Sequence, residues 1–196
     1  SIAIIRSVDE LLFVPIPLRY IALIPAAGVG IRLGHDVPKQ YLRLGERTML
    51  EHSIAAMLSD ARIDRVFVVV APTDDKWQAI QSDSARVEFL PVGGASRAES
   101  VLNGLVALTA RTRDDDRVLV HDAARPFASA ALISRTIAAA AESGAALAAM
   151  PVRDTVKRTA EFAPGASELR SLRFVNETLP RDTIYLAQTP QAFRHD

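Results

Sequence analysis

The sequence of 196 residues contains no cysteine. That absence excludes disulfide bonds, thiolate zinc sites and a cysteine nucleophile, and it is what we expect of a protein kept in a reducing cytoplasm. No apolar run approaches the roughly 20 residues of a membrane-spanning helix. Lys and Arg number 23, as do Asp and Glu, so no net charge attracts nucleic acid or an anionic membrane. Any cationic function must therefore be local.

The first 19 residues form a segment of their own. Its apolar patch, Leu11–Val14, is interrupted by Pro15 and Pro17, whereas a signal peptide has a basic start and a longer apolar core. We predict an N-terminal extension over residues 1–19, with no assigned role, followed by one domain over residues 20–196. That length is enough to bury a sizeable core.

Apolar, β-branched runs alternate with helical patterns along the domain. The predicted strands are Ile21–Ile24, Arg65–Val70, Val87–Leu90, Arg117–His121 and Ala145–Val152. The predicted helices follow capping boxes at Thr48–Glu51 and Ser96–Glu99, occupy Ala130–Glu142 with Gly144 as C-cap, and include a short one over Thr73–Gln81. The alternation predicts a three-layer α/β fold, in which a mostly parallel twisted sheet has helices on both faces.

The pattern changes in the last quarter of the chain. From Arg153 to Arg181 the sequence is polar and poorly periodic, with β-like pieces at Thr155–Arg158 and Leu172–Val175. These pieces predict a protruding β-arm over about residues 154–181. Because isolated two-stranded ribbons are marginal in water, we expect the arm to pack on another subunit. Tyr185–Thr189 is predicted to return to the sheet.

The loop after the first predicted strand combines small residues with cations. Gly28 and Gly30 let backbone N–H groups approach an anion, and Arg32 and Lys39 supply positive charge. The glycine spacing excludes a Walker A loop, and Leu33 stands where the dinucleotide fingerprint needs Gly or Ala. The remaining pattern, G-x-G-x-R with a later Pro-Lys, is typical of nucleotidyltransferases that join a nucleoside triphosphate to a phosphorylated small molecule.

Unusual residues also follow other predicted strands, where an open α/β sheet binds its ligands. Asp122 ends an apolar strand, so its carboxylate needs a partner such as a divalent cation, a sugar hydroxyl or the turn that follows. Gly94 would let a flat ring approach the backbone and Ser100 would offer a hydroxyl, although a plain strand-to-helix turn is an equal alternative. His121 is predicted to be a packed strand residue rather than a base. Arg125 taken alone is better explained as a solvated surface cation than as a ligand-binding residue.

Seven stretches give the chain a family resemblance. They are PAAGVGIRLG (Pro25–Gly34), PKQY (Pro38–Tyr41), LEHS (Leu50–Ser53), GGASRAESV (Gly93–Val101), VHDAARPF (Val120–Phe127), PVRDTVKR (Pro151–Arg158) and QTPQAF (Gln188–Phe193). From Ile21 onward the chain resembles the 2-C-methyl-D-erythritol 4-phosphate cytidylyltransferases of non-mevalonate isoprene biosynthesis. The resemblance implies a Rossmann-like nucleotidyltransferase with Mg²⁺ as cofactor, active as a homodimer formed through the β-arm. It also implies a transferase that makes CDP-methylerythritol and pyrophosphate from CTP and methylerythritol phosphate.

The resemblance further implies roles by position. Residues for CTP would be Pro25, Ala26, Ala27, Gly28, Gly30, Arg32, Lys39, Gly94, Ala95, Ser100, Asp122 and Ala123. Residues for methylerythritol phosphate would be Arg125, Thr155, Arg181 and Thr189, with Thr155 and Arg181 reaching across the dimer. Arg32 and Lys39 would stabilise the transition state, and Arg181 would also be catalytic. Asp122 would bind the metal directly or through water.

Two departures and three alternatives accompany this resemblance. Ala95 stands where family members often carry an acidic residue, so contacts with the base would use the backbone. The family usually continues beyond the position of Asp196, so we expect a truncated C-terminal end. A ribitol 5-phosphate cytidylyltransferase would share the CTP loops and differ in the acceptor. A non-catalytic nucleotide-binding protein on the same fold stays open, and the failed fingerprint disfavours an NAD-dependent oxidoreductase.

Lys39→Ala is predicted to lower turnover ~10²-fold or more, by analogy with the loss of one electrostatic donor. The acceptor phosphate is already ionised and needs no general base, so charge neutralisation and positioning supply the rate. Pyrophosphate release measures the effect, and circular dichroism should show an unchanged fold. Unchanged turnover would remove Lys39 from the mechanism.

Overall fold

A six-stranded mixed sheet forms the centre of the computed structural model, which describes residues 18–28, 37–82, 85–113, 115–161 and 173–195. The strands are β1 (Tyr20–Pro25), β2 (Arg43–Leu44), β3 (Arg47–Thr48), β4 (Ile63–Val69), β5 (Val87–Leu90), β6 (Arg117–Val120), β7 (Ala146–Pro151), β8 (Val156–Glu161), β9 (Arg173–Leu179) and β10 (Tyr185–Arg194). The helices are α1 (Met49–Leu58), α2 (Arg97–Leu108) and α3 (Ala130–Ser143), with 3-10 turns at Lys39–Tyr41, Lys76–Ala79 and Arg181–Thr183. The sheet order is β5-β4-β1-β6-β10-β7, in which β10 runs antiparallel to both of its neighbours.

Strand β1 is buried on both faces, as a central parallel strand must be. Tyr20, Ala22 and Ile24 point into the apolar cluster formed with α1 and α3, whereas Ile21 and Leu23 point into the cluster formed with α2. This alternation follows from the two-residue period of a strand. It confirms the predicted three layers, with helices on both faces of a mostly parallel sheet.

The helix ends follow local hydrogen bonding. Thr48 and Glu51 form the predicted reciprocal capping box at the start of α1. The box predicted for α2 is half wrong: Ser96 accepts the Glu99 N–H at 3.0 Å, but the Glu99 carboxylate accepts the N–H of Ala95 at 2.8 Å and not that of Ser96. Helix α3 ends at Gly144, whose φ of 83° suits a residue without a side chain.

The helix predicted between β4 and β5 is only the 3-10 turn at Lys76–Ala79. Its N-terminal side is held by Asp74, whose carboxylate accepts the Lys76 N–H at 3.0 Å and the Tyr41 hydroxyl at 2.6 Å. Such side-chain bonds compete with regular helix formation. Trp77 still packs against the core as predicted, stacking on Phe89 with ring centroids 4.9 Å apart.

The predicted return to the sheet is confirmed and is longer than expected. Strand β10 lies between β6 and β7, and its register shifts between Ala187 and Gln191, so residues 188–190 bulge from the ladder. Strands β8 and β9 form a separate two-stranded ribbon, longer than the predicted pieces, and Arg173 to Thr178 of β9 are exposed. No helix within the ranges described above is long and apolar enough to cross a membrane.

Candidate active site

A cavity of about 460 Å³ lies where β1, β5 and β6 end. Every described member of the predicted CTP set lines it: Pro25, Ala26, Ala27, Gly28, Lys39, Gly94, Ala95, Ser100, Asp122 and Ala123. The predicted residues Gly30 and Arg32 lie outside the described residues. Gln40, Ser96, Arg97 and Ala124 complete the lining. The three loops meet because parallel strands present their carboxyl ends at one edge of the sheet.

Gln40 holds the loop after β1 from inside. Its side chain is buried, and its Nε2 donates to the carbonyl oxygens of Ala26 at 2.7 Å and Gly28 at 3.0 Å. The pairing offsets two carbonyl dipoles that would otherwise repel an anion at this loop. No role for Gln40 was predicted from the sequence. Its position next to Lys39, after a loop of small residues, is the sequence feature that could have indicated a role at the nucleotide loop.

Gly93 sets the distance between the loops after β1 and β5. Its N–H donates to the carbonyl of Val70 at 2.9 Å. A Cβ at this position would lie 2.2 Å from the Ala27 Cβ and 2.8 Å from the Val70 carbonyl oxygen. The two loops therefore touch only because residue 93 has no side chain.

Two side chains in the first turn of α2 accept hydrogen bonds from the backbone N–H groups that were expected to contact the cytosine base. Ser100 is buried, and its hydroxyl accepts the N–H of Gly94 at 3.1 Å. Glu99 accepts the N–H of Ala95 at 2.8 Å. In this structure Ser100 and Glu99 therefore shape the loop, and direct contact of Gly94, Ala95 and Ser100 with cytosine stays a prediction.

Asp122 has two cationic partners across the cavity mouth. Its Oδ1 lies 2.7 Å from Nε of Arg97, and its Oδ2 lies 3.0 Å from Nε of Arg125. The carboxylate thus has the partner that its position after an apolar strand demanded. Arg97, the first residue of α2, was missed because an arginine after a serine N-cap is also an ordinary surface residue. Lys39 has no ion-pair partner within the part of the chain that the structure describes.

The residues predicted to hold the acceptor phosphate fall into two groups. Arg125 and Thr189 lie beside Asp122: Arg125 also donates to Oε1 of Gln188, and the Thr189 hydroxyl lies 3.3 Å from the Asp122 N–H nitrogen. Thr155 and Arg181 are exposed at the base of the β8–β9 ribbon, and none of the four residues is part of the cavity lining itself. The Arg181 guanidinium donates to a backbone carbonyl of the same ribbon base at 3.1 Å. One protomer therefore brings together only some of the residues that were predicted to bind the phosphate of the acceptor substrate.

His121 is packed, as predicted, and is fully buried at the end of β6. Its Nε2 lies 3.0 Å from the Arg125 carbonyl oxygen and its Nδ1 lies 3.0 Å from the Thr189 hydroxyl. Burial lowers the pKa of the imidazole below its ordinary value. A neutral, fully bonded imidazole does not serve as a base for a substrate in the cavity.

Comparison with known proteins decides the family. The family model described as 2-C-methyl-D-erythritol 4-phosphate cytidylyltransferase matches residues 20–196. The chain belongs to this family. The chain is therefore a nucleotidyltransferase, and the resemblance of its seven stretches is confirmed.

Individual family members are similar over most of the chain. The 2-C-methyl-D-erythritol 4-phosphate cytidylyltransferase of Dechloromonas aromatica is 44% identical over 181 residues, which cover 90% of this chain and 75% of that protein. A crystal structure of a 4-diphosphocytidyl-2C-methyl-D-erythritol synthase superposes with a TM-score of 0.72 at 32% identity, covering 91% of this chain and 76% of the other. The crystal structure of the Francisella tularensis 2-C-methyl-D-erythritol 4-phosphate cytidylyltransferase superposes with a TM-score of 0.69 at 31% identity, covering 90% of this chain and 73% of the other. These similarities confirm the α/β nucleotidyltransferase fold.

Gln40→Glu is predicted to weaken CTP binding about tenfold and to lower the free energy of unfolding by about 1–3 kcal/mol, because a carboxylate would face two carbonyl oxygens that lose their donor. Calorimetric titration with CTP and chemical denaturation measure the two effects. The matched control is Gln78→Glu, which makes the same charge change at an exposed position. An affinity equal to that of the control would show that Gln40 does not shape the nucleotide loop.

Proposed function

We propose that this chain joins CTP to 2-C-methyl-D-erythritol 4-phosphate, giving CDP-methylerythritol and pyrophosphate in isoprenoid precursor biosynthesis. Membership of the cytidylyltransferase family supports the reaction. The observation that carries the site assignment is the cavity, since the loop at Ala26–Gly28, Lys39 and Asp122 all line it. An anion-binding backbone, a cation and a carboxylate on one rim are what a nucleoside triphosphate with its metal requires.

The proposed reaction is a direct displacement. An ionised oxygen of the acceptor phosphate attacks the α-phosphorus of CTP, and the bond from that phosphorus to the oxygen bridging the β-phosphorus breaks as pyrophosphate leaves. No proton moves, so the protein's contribution is orientation and charge neutralisation. Lys39 would offset charge on the triphosphate, and Arg32 would act with it as the resemblance implies. Such charge stabilisation dominates catalysis of phosphoryl transfer in general.

The residues present fit Mg²⁺ with one protein ligand. Among the described residues no three His, Asp or Glu side chains cluster as a metal cage, but Mg²⁺ commonly uses one or two carboxylates together with substrate phosphates. Asp122 would supply that carboxylate, directly or through water. The bound ion would neutralise charge on the phosphate groups. Arg97 and Arg125 would hold the carboxylate in place at the cavity mouth.

A homodimer through the β-arm would complete the acceptor site. Arg125 would hold methylerythritol phosphate in one protomer, Thr189 would support this site through its hydrogen bonds with Asp122 and His121, and Thr155 and Arg181 would come from the other protomer. Exposed apolar side chains on β9 and on the neighbouring strands β7 and β10 support this proposal. They are Leu147, Met150, Val175, Tyr185 and Leu186, each more than half exposed. Apolar side chains left exposed in this way are candidates for protein–protein contact.

One assay tests the proposed function. Pyrophosphate release from CTP is measured with methylerythritol phosphate and with ribitol 5-phosphate as acceptors. We expect turnover with methylerythritol phosphate and at least tenfold less with ribitol phosphate, because a site that hydrogen-bonds one set of hydroxyls discriminates against another. The reverse preference would establish the ribitol enzyme. CTP binding without turnover of either acceptor would favour a non-catalytic protein.

Val175→Asp is predicted to shift a dimer toward monomer, because it places a charge on an exposed apolar position of the arm. Sedimentation velocity at micromolar concentration measures the shift. Leu102→Asp is the matched control, since Leu102 is equally exposed but lies on α2, away from the arm. A wild-type monomer, or a dimer that Val175→Asp leaves intact, would contradict assembly through the arm.

A further inference from the structure

His121 connects two segments that the proposed reaction uses. One segment is the turn after β6, closed by a hydrogen bond from the Arg125 N–H to the Asp122 carbonyl at 3.1 Å. The other is the bulge of β10, where Thr189 lies. The imidazole is fully buried between them, with Nε2 3.0 Å from the Arg125 carbonyl oxygen and Nδ1 3.0 Å from the Thr189 hydroxyl.

For a neutral imidazole, the chemistry of these partners assigns every proton in the contact. A carbonyl oxygen only accepts, so Nε2 must carry the hydrogen that it shares with Arg125. In the neutral ring Nδ1 then accepts, and the Thr189 hydroxyl must donate to it. The hydroxyl oxygen in turn accepts from the Asp122 N–H, whose nitrogen lies 3.3 Å away.

The result is one directed chain of hydrogen bonds. It runs from the Asp122 N–H through the Thr189 hydroxyl and the two ring nitrogens of His121 to the Arg125 carbonyl. It begins and ends on the same turn, so it holds both ends of that turn against β10. A second contact reinforces it, because the Arg125 side chain donates to Gln188 on the same bulge. The turn cannot shift toward the cavity without breaking at least one of these bonds.

We propose that His121 is a positioning residue for the nucleotidyl transfer, in its Nε2–H tautomer, which acts by fixing the turn that carries Asp122 and Arg125. The inference rests on the proposed function, in which Asp122 serves the nucleotide and metal and Arg125 holds the acceptor phosphate. The turn therefore sets the distance between attacking group and target. A displacement of about 1 Å in such a geometry lowers a rate ~10²-fold.

Two substitutions test separately the two hydrogen bonds that the His121 ring makes. His121→Gln keeps an amide donor where Nε2 lies and loses the acceptor at Nδ1, whereas His121→Asn keeps an oxygen acceptor near Nδ1 and loses the donor to Arg125. We expect each to lower kcat about 10-fold to 100-fold per folded molecule, with the folded fraction determined by circular dichroism. The KM for CTP should rise by a smaller factor than kcat falls, because Asp122 and Ala123 on the shifted turn line the cavity while the loops after β1 and β5 remain in place.

The matched control is His52→Asn. His52 also lies 2.9 Å from a carbonyl oxygen through its Nε2, but it sits on α1 and does not line the cavity. We expect its kcat to equal that of wild type. Equal kcat in wild type, His121→Gln and His121→Asn would overturn the proposal, since a residue that only packs would change stability and leave turnover per folded molecule unchanged.

Nitrogen-15 NMR of the histidine-labelled chain tests the tautomer without any assay of activity. The chain has four histidines, and the His121 signals are those lost in His121→Gln or His121→Asn. We expect a protonated Nε2, an unprotonated Nδ1 and slow exchange of the ring proton with water. A protonated Nδ1 or a ring that averages between tautomers would overturn the proposal. If wild type lacks turnover, the proposed reaction fails, and the NMR result still decides whether the hydrogen-bonded chain exists.

Discussion

Burial of β1 on both faces is the constraint on which the rest of the structure depends. Its residues alternate between the α1/α3 layer and the α2 layer, so β1 can lie only in the interior of the sheet, between β4 and β6. All three strands run parallel, and their carboxyl ends therefore meet at one edge. The loop of small residues after β1 must then cross that edge beside the loops after β5 and β6. This arrangement brings the loops together, and Gln40 and Gly93 then determine how closely they pack around the cavity.

The net charge of the protein is zero, so attraction of an anionic ligand depends on the charged side chains at the cavity itself. Asp122 sits between Arg97 and Arg125, so the carboxylate does not repel an arriving polyphosphate as an isolated anion would. Lys39 lines the same cavity and is not engaged by a carboxylate among the described residues. The balance at the mouth therefore favours a highly charged anion. Removing one arginine would change this balance and the orientation of Asp122 together.

The layers and the rim loops were predictable from the sequence because they depend on short-range patterns. Apolar runs fixed the strands, and small residues followed by Lys39 marked the loop after β1. The partners of Asp122 were not predictable, since Arg97 is 25 positions away and the pairing depends on how α2 packs against the sheet. The capping box at Ser96–Glu99 was half wrong for a related reason: the Glu99 carboxylate finds Ala95 in a loop whose course is set by tertiary contacts. Roles assigned to Arg32, Thr155 and Arg181 came from family resemblance.

The glycine at position 93 has a consequence for how this fold can vary. Because Gly93 has no side chain, the backbone after β5 packs directly on Ala27. The distance between the loops after β1 and β5 is therefore set by van der Waals contact as well as by hydrogen bonds. Any side chain at position 93 would push the loops after β1 and β5 apart. Variation that changes which base the protein accepts is therefore expected to spare this position and to alter the rim above it.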